Sequence, residues 1–146
     1  MYPWSGKNIY FLGFMAVGKT KIGSNFAQFL GWPFHDTDDL VQARAGKSIS
    51  DIFLQDGEDE FRRLETEVIR DLADKQNNII ALGGGAVLRD ENWKLLQSGI
   101  TICLAASIDI LDERIARRDH RPIMAGLSSQ ERREKIERML TEREPY

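Results

Sequence analysis

This sequence has a single cysteine, no long apolar run and little net charge. Its 146 residues include one cysteine, Cys103, within the apolar run 100–104. No disulfide framework or cysteine metal cluster is therefore expected, and the thiol is predicted to lie in the core. No apolar run approaches the roughly 18 residues of a membrane span, and no secretory signal is recognisable. Without a signal or a span, we expect a cytoplasmic protein. Because the net charge is only −3, we expect it to bind neither nucleic acid nor membranes.

The segment from Gly13 to Thr20, which reads GFMAVGKT, has the spacing of a phosphate-binding loop. It follows a stretch of strand formers at 8–12 and precedes a helical pattern that ends at Leu30. A glycine-rich turn lets backbone N–H groups point inward, and the helix N-terminus adds partial positive charge. Lys19 can reach the β- and γ-phosphates, and the Thr20 hydroxyl can bind Mg²⁺. The segment predicts a nucleoside triphosphate site; the alternative is a chance match in an ordinary strand–helix connection.

Apolar periodicity along the chain alternates between strands and helices. Strands are predicted at 8–12, 32–37, 79–82 and 100–105. Helices are predicted up to Leu30 and then at 38–45, 48–54, 57–76, 90–97 (capped by Asp90), 108–117 and 129–142. Strands buried on both faces and separated by helices predict a single α/β domain, a three-layer sandwich around a parallel sheet. Ligands of such sheets bind at the carboxyl ends of the strands.

Two carboxylates, Asp36 and Asp38, follow the second predicted strand. Because residues i and i+2 at a strand end point the same way, both side chains are expected in one crevice. One carboxylate can hold Mg²⁺ through its water shell, and the other can bind a substrate hydroxyl and accept its proton. The alternative is a capping cluster for the helix at 38–45, to which Asp38 or Asp39 could contribute.

Two further segments suggest a site for the acceptor of a phosphoryl group. Arg62 and Glu65 lie three residues apart on one helix face, so Glu65 could hold the guanidinium for bidentate binding of an anion. This pairing alone is weak evidence. The three glycines at 83–85 follow a buried strand, where they would be costly unless backbone N–H groups must approach a ligand closely.

Positive charge is concentrated in the segment Arg117-Arg118-Asp119-His120-Arg121-Pro122, between the last two predicted helices. One interpretation is a solvated surface loop. The other is a lid over about 116–128 whose arginine closes over the phosphates and excludes water, which would compete with the acceptor hydroxyl. His120 could act as a base, although a single loop histidine is more often incidental.

Taken in order, these motifs resemble the shikimate kinase family over about residues 8–146. They are the phosphate loop, D-T-D at 36–38, G-K-S-I-S-D-I-F at 46–53, G-E-x-E-F-R-R-L-E at 57–65, G-G-G-A-V at 83–87, R-P at 121–122 and R-E-P at 143–145. The resemblance implies the nucleoside-monophosphate-kinase type of P-loop fold. It also implies phosphorylation of the 3-hydroxyl of shikimate by ATP with Mg²⁺, on the route to aromatic amino acids. The alternatives are a gluconate-type kinase of the same fold and a kinase-like binding protein without catalysis.

The resemblance implies roles for individual residues on the nucleotide side. Lys19 would contact the phosphates, Arg121 would be the lid arginine, and Arg114 would stack near adenine. Thr20 and Asp36 would serve Mg²⁺. The implied nucleotide-binding residues are Gly13, Met15, Ala16, Val17, Gly18, Lys19, Thr20, Arg114 and Arg121.

On the acceptor side, the resemblance implies that helices at about 38–76 form the binding site. Asp38 would bind the shikimate hydroxyls and act as the base, so that Lys19, Asp38 and Arg121 form the catalytic set. Arg62 and Arg143 would grip the shikimate carboxylate. The implied shikimate-binding residues are Asp38, Arg62, Glu65, Gly83, Gly84, Gly85 and Arg143.

The sequence departs from the family pattern at two places. Ala16 stands where many members have a glycine, and we expect nucleotide binding with modest loss at most if this residue does not need positive φ. Family members also continue past the R-E-P segment into a last strand, an adenine-contacting loop and a final helix. We therefore expect a truncated chain in which the strand at 100–105 lacks a neighbour. The small size and the lack of an apolar patch signal predict a monomer.

Overall fold

The structure, a computed structural model, describes residues 2–118 and 124–144. Its strands are β1 (Ile9–Gly13), β2 (Phe34–Asp36), β3 (Ile79–Ala81) and β4 (Ile100–Leu104). Its helices are α1 (Lys19–Leu30), α2 (Thr37–Ala45), α3 (Ile49–Gln55), α4 (Glu58–Ala73), α5 (Asp90–Leu96), α6 (Ile108–Arg117) and α7 (Ser129–Arg143), with a short 3-10 helix at Ala86–Leu88.

The four strands form one parallel sheet in the order β2-β3-β1-β4. Alternate residues of β1 face opposite sides of the sheet, as strand geometry requires. Tyr10 and Leu12 pack with residues of α2 to α5, whereas Ile9 and Phe11 pack with residues of α1. The sheet is therefore covered on both faces, and the predicted three-layer α/β sandwich is confirmed.

The carboxyl edge of this sheet is where the candidate site residues come together. β1 runs into the phosphate loop and α1, and β2 runs directly into α2. β3 ends just before the three glycines at 83–85. α4 begins after Gly57, whose φ of 87° is a conformation that favours glycine. The segments that follow β1, β2 and β3 therefore lie side by side at this edge, and each carries different chemical groups.

β4 corrects one expectation from the sequence. It was predicted to be a buried strand with Cys103 in the core, but Cys103 is exposed. Within the described chain β4 pairs only with β1 and so forms a sheet edge, and its residues alternate between half-buried and exposed. Edge strands keep one side open to solvent, which explains why an apolar run did not mean full burial.

Some helix boundaries also differ from the predicted ones. α4 ends at Ala73, three residues before the predicted end, because apolar periodicity does not mark the last turn of a helix sharply. Asp90 is the first residue of α5 and not its cap, and the capping position belongs to Arg89. None of the helices that the structure describes combines the length and apolar character that crossing a bilayer requires.

Candidate active site

The phosphate loop depends on glycine at both of its ends. Gly13 has φ 144°, and a Cβ there would lie 2.5 Å from the carbonyl oxygen of Leu104 in β4. Gly18 has φ 108° and caps the N-terminus of α1. Between them, the Val17 N–H donates to the Phe14 carbonyl oxygen at 3.2 Å and closes the turn. The loop is thus a defined turn at the start of a 12-residue helix, the setting in which anions bind helix N-termini.

Lys19 lies across this loop and is almost fully buried. Its Nζ donates to the carbonyl oxygens of Gly13 at 2.6 Å and Phe14 at 3.0 Å. The ammonium is therefore held at the mouth of the loop by backbone acceptors. Phosphate oxygens, being charged, are stronger acceptors than these carbonyls.

Ala16 does not meet the condition under which we expected at most a modest loss of nucleotide binding, namely a backbone without positive φ. Its φ is +63°, so the residue does adopt the left-handed conformation that a glycine would take without strain. Arg114 reaches the same part of the loop from α6, and its Nη1 donates to the carbonyl oxygens of Ala16 at 3.1 Å and Val17 at 3.0 Å. This arginine, implied to stack near adenine, thus contacts the loop backbone.

Two hydrogen bonds to the Asp36 carboxylate connect α1, the end of β2 and the start of α2. The Thr20 hydroxyl donates to Asp36 Oδ2 at 2.6 Å, and Asp36 Oδ1 accepts from the Asp38 N–H at 2.9 Å. Asp36 is therefore the capping residue of α2, whereas the capping alternative considered Asp38 and Asp39. A hydroxyl and a carboxylate next to a phosphate loop are the donor types that Mg²⁺ takes, so Thr20 and Asp36 fit a magnesium site.

These residues line a cavity of about 420 Å³, which we call the phosphate cavity. Its walls include Gly18, Lys19, Thr20, Asp36, Asp38 and Gly83. A second cavity of about 510 Å³, the acceptor cavity, is lined by Met15, Asp38, Arg62, Glu65, the glycines 83–85 and Arg143, together with residues of α2 and α3. Asp38 lines both cavities. The two predicted halves of the site therefore adjoin, and Asp38 lies where they meet.

Arg62 and Glu65 form the predicted pair, but in a buried setting. Arg62 Nη1 donates to Glu65 Oε2 at 2.8 Å, and the two side chains are 9% and 0% exposed. Burial raises the pKa of Glu65 to about 7, against the opposing effect of Arg62. Within the described chain, Glu65 Oε1 has no hydrogen-bond partner. Glu65 thus fixes Arg62 with one oxygen and keeps the other available.

Arg143 is the second cation of the acceptor cavity. Its guanidinium carbon lies 5.0 Å from the centre of the Phe14 ring, which orients the planar group. Nη1 is buried and has no hydrogen-bond partner among the described residues. Burial, followed by the nearby charge of Arg62, lowers the pKa of Arg143. A buried donor without an acceptor, close to a second guanidinium, suits a carboxylate ligand.

The three glycines are closely approached by other parts of the protein. A Cβ at Gly83 would lie 2.6 Å from Glu65 Oε1 and 2.8 Å from Asp38 Oδ1, and a Cβ at Gly85 would overlap the Arg62 guanidinium. At Gly84 a Cβ would come within 3.2 Å of the Met15 nitrogen. The sequence predicted close approach of a ligand, and the described contacts show close packing of the acceptor-cavity charges against the turn.

Sequence reasoning missed several residues of the site, among them Thr37 and Arg118. Thr37 is fully buried, and its hydroxyl accepts the Gly83 N–H at 2.9 Å, which ties the end of β2 to the glycine turn. Its place between two aspartates was the only signal. Arg118 lines both cavities, although the sequence favoured Arg121 within the same basic segment. Arg121 and His120 lie outside the described residues, so the predicted lid is described only in part.

Comparisons with known proteins lead to one family. The shikimate kinase family model matches residues 15–146. A shikimate kinase from Thermodesulfovibrio yellowstonii is 41% identical over 140 residues, covering 95% of this chain and 79% of the relative. A shikimate kinase from Chromobacterium violaceum is 42% identical over 140 residues, covering 95% of this chain and 74% of the relative.

Solved structures agree with the sequence relatives. A shikimate kinase from Acinetobacter baumannii in complex with shikimate superimposes with a TM-score of 0.90 at 32% identity, covering 97% of this chain and 78% of that chain. A gluconokinase from Sinorhizobium meliloti, with a TM-score of 0.53 and 20% identity, shares the fold alone, covering 93% of this chain and 75% of that chain. Since the matches extend from the phosphate loop through α7 and include both cavities, this chain belongs to the shikimate kinase family.

Proposed function

We propose that this chain transfers the γ-phosphoryl group of ATP to the 3-hydroxyl of shikimate, in the biosynthesis of aromatic amino acids. Membership of the shikimate kinase family supports the reaction and its use of ATP with Mg²⁺. The roles of individual residues rest on the geometry of the two adjoining cavities. The observation that carries the proposal is that Asp38 lines both the phosphate cavity and the acceptor cavity.

On the donor side, Lys19 and the backbone of the phosphate loop bind the β- and γ-phosphates. Lys19 already lies against two loop carbonyls, and it exchanges these acceptors for phosphate oxygens when ATP binds. Thr20 and Asp36 hold Mg²⁺, which when bound neutralises charge on the phosphate oxygens. Arg121 as the lid arginine stays a prediction, because it lies outside the described residues.

On the acceptor side, Arg62 and Arg143 bind the carboxylate of shikimate. Both guanidiniums are part of the acceptor-cavity wall, and the buried Nη1 of Arg143 gains an acceptor from the ligand. Glu65 holds Arg62 through a 2.8 Å bond, so the guanidinium meets the anion in a fixed orientation. The carboxylate at one end of the ring then directs a ring hydroxyl towards Asp38.

The chemical step needs a proton acceptor between the two ligands, and Asp38 takes that role. The O–H bond of the acceptor hydroxyl breaks, its proton passes to the Asp38 carboxylate, and the oxygen forms a bond to the γ-phosphorus. The bond from that phosphorus to the β–γ bridging oxygen breaks, and ADP leaves. Positioning and charge stabilisation supply most of the catalysis in such reactions.

Phosphorylation assays with shikimate and with gluconate test this proposal. The chain is incubated with ATP and Mg²⁺ and one acceptor at a time; ADP formation is followed, and the product is analysed by ³¹P and ¹³C NMR. We expect turnover with shikimate and phosphate on its 3-oxygen, since gluconate lacks the ring that the cavity holds. Turnover of gluconate in preference would support the gluconate-type alternative, and nucleotide binding with turnover of neither would support a non-catalytic protein.

Two expectations about the cellular form of the protein stay predictions. One is the cytoplasmic location, and the other is the monomeric state.

A further inference from the structure

Arg114 makes a contact that the proposed function does not use. Its Nη1 donates to two consecutive carbonyl oxygens of the phosphate loop, those of Ala16 at 3.1 Å and Val17 at 3.0 Å. Arg114 belongs to α6, 98 residues beyond Ala16. The bonds therefore join the loop to a separate helix that packs against it through Leu111 and Ile115.

The two carbonyls are at the points where the loop turns. The peptide bonds are trans, so each carbonyl points opposite to the N–H of the next residue. Fixing the Ala16 carbonyl orients the Val17 N–H, which closes the turn on Phe14. Fixing the Val17 carbonyl orients the Gly18 N–H at the start of α1. One guanidinium nitrogen thus controls two successive peptide planes.

Ala16 is the residue that most needs such support. Its φ of +63° is a conformation that residues with a Cβ rarely adopt. The Ala16 side chain is buried together with Phe14, Met15 and Val17 against α6. Apolar packing holds the side chains of this loop, but it does not set the direction of the peptide planes. The Arg114 bonds supply that direction.

We propose that Arg114 is a positioning residue of the phosphate loop, acting on triphosphate binding through the Ala16 and Val17 carbonyls and independently of any contact with a base. This inference rests on the proposed function, because it assumes that the loop binds the phosphates of ATP. It differs from a role in stacking near adenine, since a stacking residue would affect only ligands that carry the base.

Binding of inorganic tripolyphosphate, which has the phosphates of ATP but no base, separates the two roles. Isothermal titration with Mg²⁺ present compares ATP and tripolyphosphate on the unaltered chain and on Arg114→Met, which keeps side-chain length but loses the donors. Hydrogen bonds from a charged donor are strong, so we expect the variant to weaken both ligands by a similar factor, about tenfold or more. Thermal unfolding checks that the variant remains folded.

Arg133→Met is the matched control. Arg133 lies on α7, pairs with Asp109 of α6 and is outside the walls of both cavities, so the substitution removes the same charge without touching the loop. We expect it to change tripolyphosphate affinity less than twofold or threefold, through long-range electrostatics alone. An equal loss in the two variants would overturn the inference, because general charge would then explain the effect.

A second comparison tests the route through Ala16. Glycine adopts positive φ without steric cost, so Ala16→Gly in the Arg114→Met background should recover part of the lost tripolyphosphate affinity. Unchanged tripolyphosphate binding by Arg114→Met, or no recovery in the double variant, would overturn the inference while leaving the proposed function in place. Failure of the unaltered chain to bind either compound would instead overturn the proposed function, and the inference with it.

Discussion

The phosphate loop and the acceptor cavity differ in how their polar and charged groups are hydrogen-bonded. In the loop, Lys19 donates to two backbone carbonyls, Thr20 donates to Asp36, and Arg114 donates to two more carbonyls. In the acceptor cavity, the described chain offers no hydrogen-bond partner to Nη1 of Arg143 or to Oε1 of Glu65, although both atoms are buried.

The phosphate loop is therefore held by its own hydrogen bonds before a ligand binds, whereas two buried atoms of the acceptor cavity have no partner within the described chain. A buried polar group without a partner costs about 1–3 kcal/mol of stability, so the two atoms of the acceptor cavity weaken the fold. A ligand carrying a carboxylate and hydroxyls can satisfy them and recover that cost as binding energy. The loop, by contrast, holds its shape through its own bonds, some of which we propose are exchanged for phosphate oxygens when ATP binds.

The largest effect is expected at Asp38, where the two regions meet. Asp38→Asn removes the proposed proton acceptor while keeping the size of the side chain, and positioned acid–base groups contribute roughly 10²- to 10⁴-fold to rate. We expect kcat to fall by about that factor, with little change in the affinity for ATP, because Lys19 and Arg114 are held by backbone carbonyls of the phosphate loop. Steady-state kinetics and nucleotide titration measure the two quantities.

Asp51→Asn is the control for Asp38→Asn. Asp51 lies in the first turn of α3, where its N–H bonds to the Ser48 hydroxyl, and it is outside the walls of both cavities. Its kcat should stay close to that of the unaltered chain. A fully active Asp38→Asn would remove Asp38 from the mechanism, and equal losses of kcat and ATP affinity would show that the two regions are not separable.

A smaller effect is expected at Arg143, where a substitution should weaken shikimate binding without lowering the stability of the fold. Arg143→Met removes a buried donor that has no partner in the described chain, so unfolding in urea should show unchanged or greater stability. Loss of a charged hydrogen bond to the shikimate carboxylate costs about 1.5–3 kcal/mol, so KM for shikimate should rise roughly 10- to 100-fold.

Arg138→Met, an exposed position on the same helix, gives the background effect of removing a positive charge from α7. It should leave KM for shikimate almost unchanged. If Arg143→Met destabilised the fold and left KM unaltered, Arg143 would be a structural residue, and the contrast between the two regions would not hold.

The sequence predicted the phosphate loop and the layered fold because both depend on local patterns. The spacing of Gly13, Gly18, Lys19 and Thr20 requires a strand before it and a helix after it, and alternating apolar segments specify a parallel sheet. The pairing of Arg62 with Glu65 was also readable, since residues three apart share a helix face.

What the sequence could not provide was burial and long-range contact. Cys103 lies in an apolar run, yet its exposure depends on where β4 falls in the sheet. The bond between Thr37 and Gly83 joins residues 46 apart, and the bonds from Arg114 to the loop span almost 100 residues. The positive φ of Ala16 could not be predicted from the residue type, because residues with a Cβ rarely adopt this conformation.

The smallest expected effect is a dependence of stability on pH caused by Glu65. Burial raises the pKa of Glu65 to about 7 from an ordinary value of 4.5, so between these pH values the folded chain keeps a proton that the unfolded chain has released. The free energy of unfolding therefore falls as pH rises through this window. Glu65→Gln does not titrate and should lack this slope, so urea unfolding from about pH 5 to about pH 8 should show the variant gaining on the unaltered chain. Glu60→Gln, on the same helix but with a pKa lowered by Arg63, should show no such gain; parallel curves for all three proteins would mean that the acceptor cavity does not penalise a buried carboxylate.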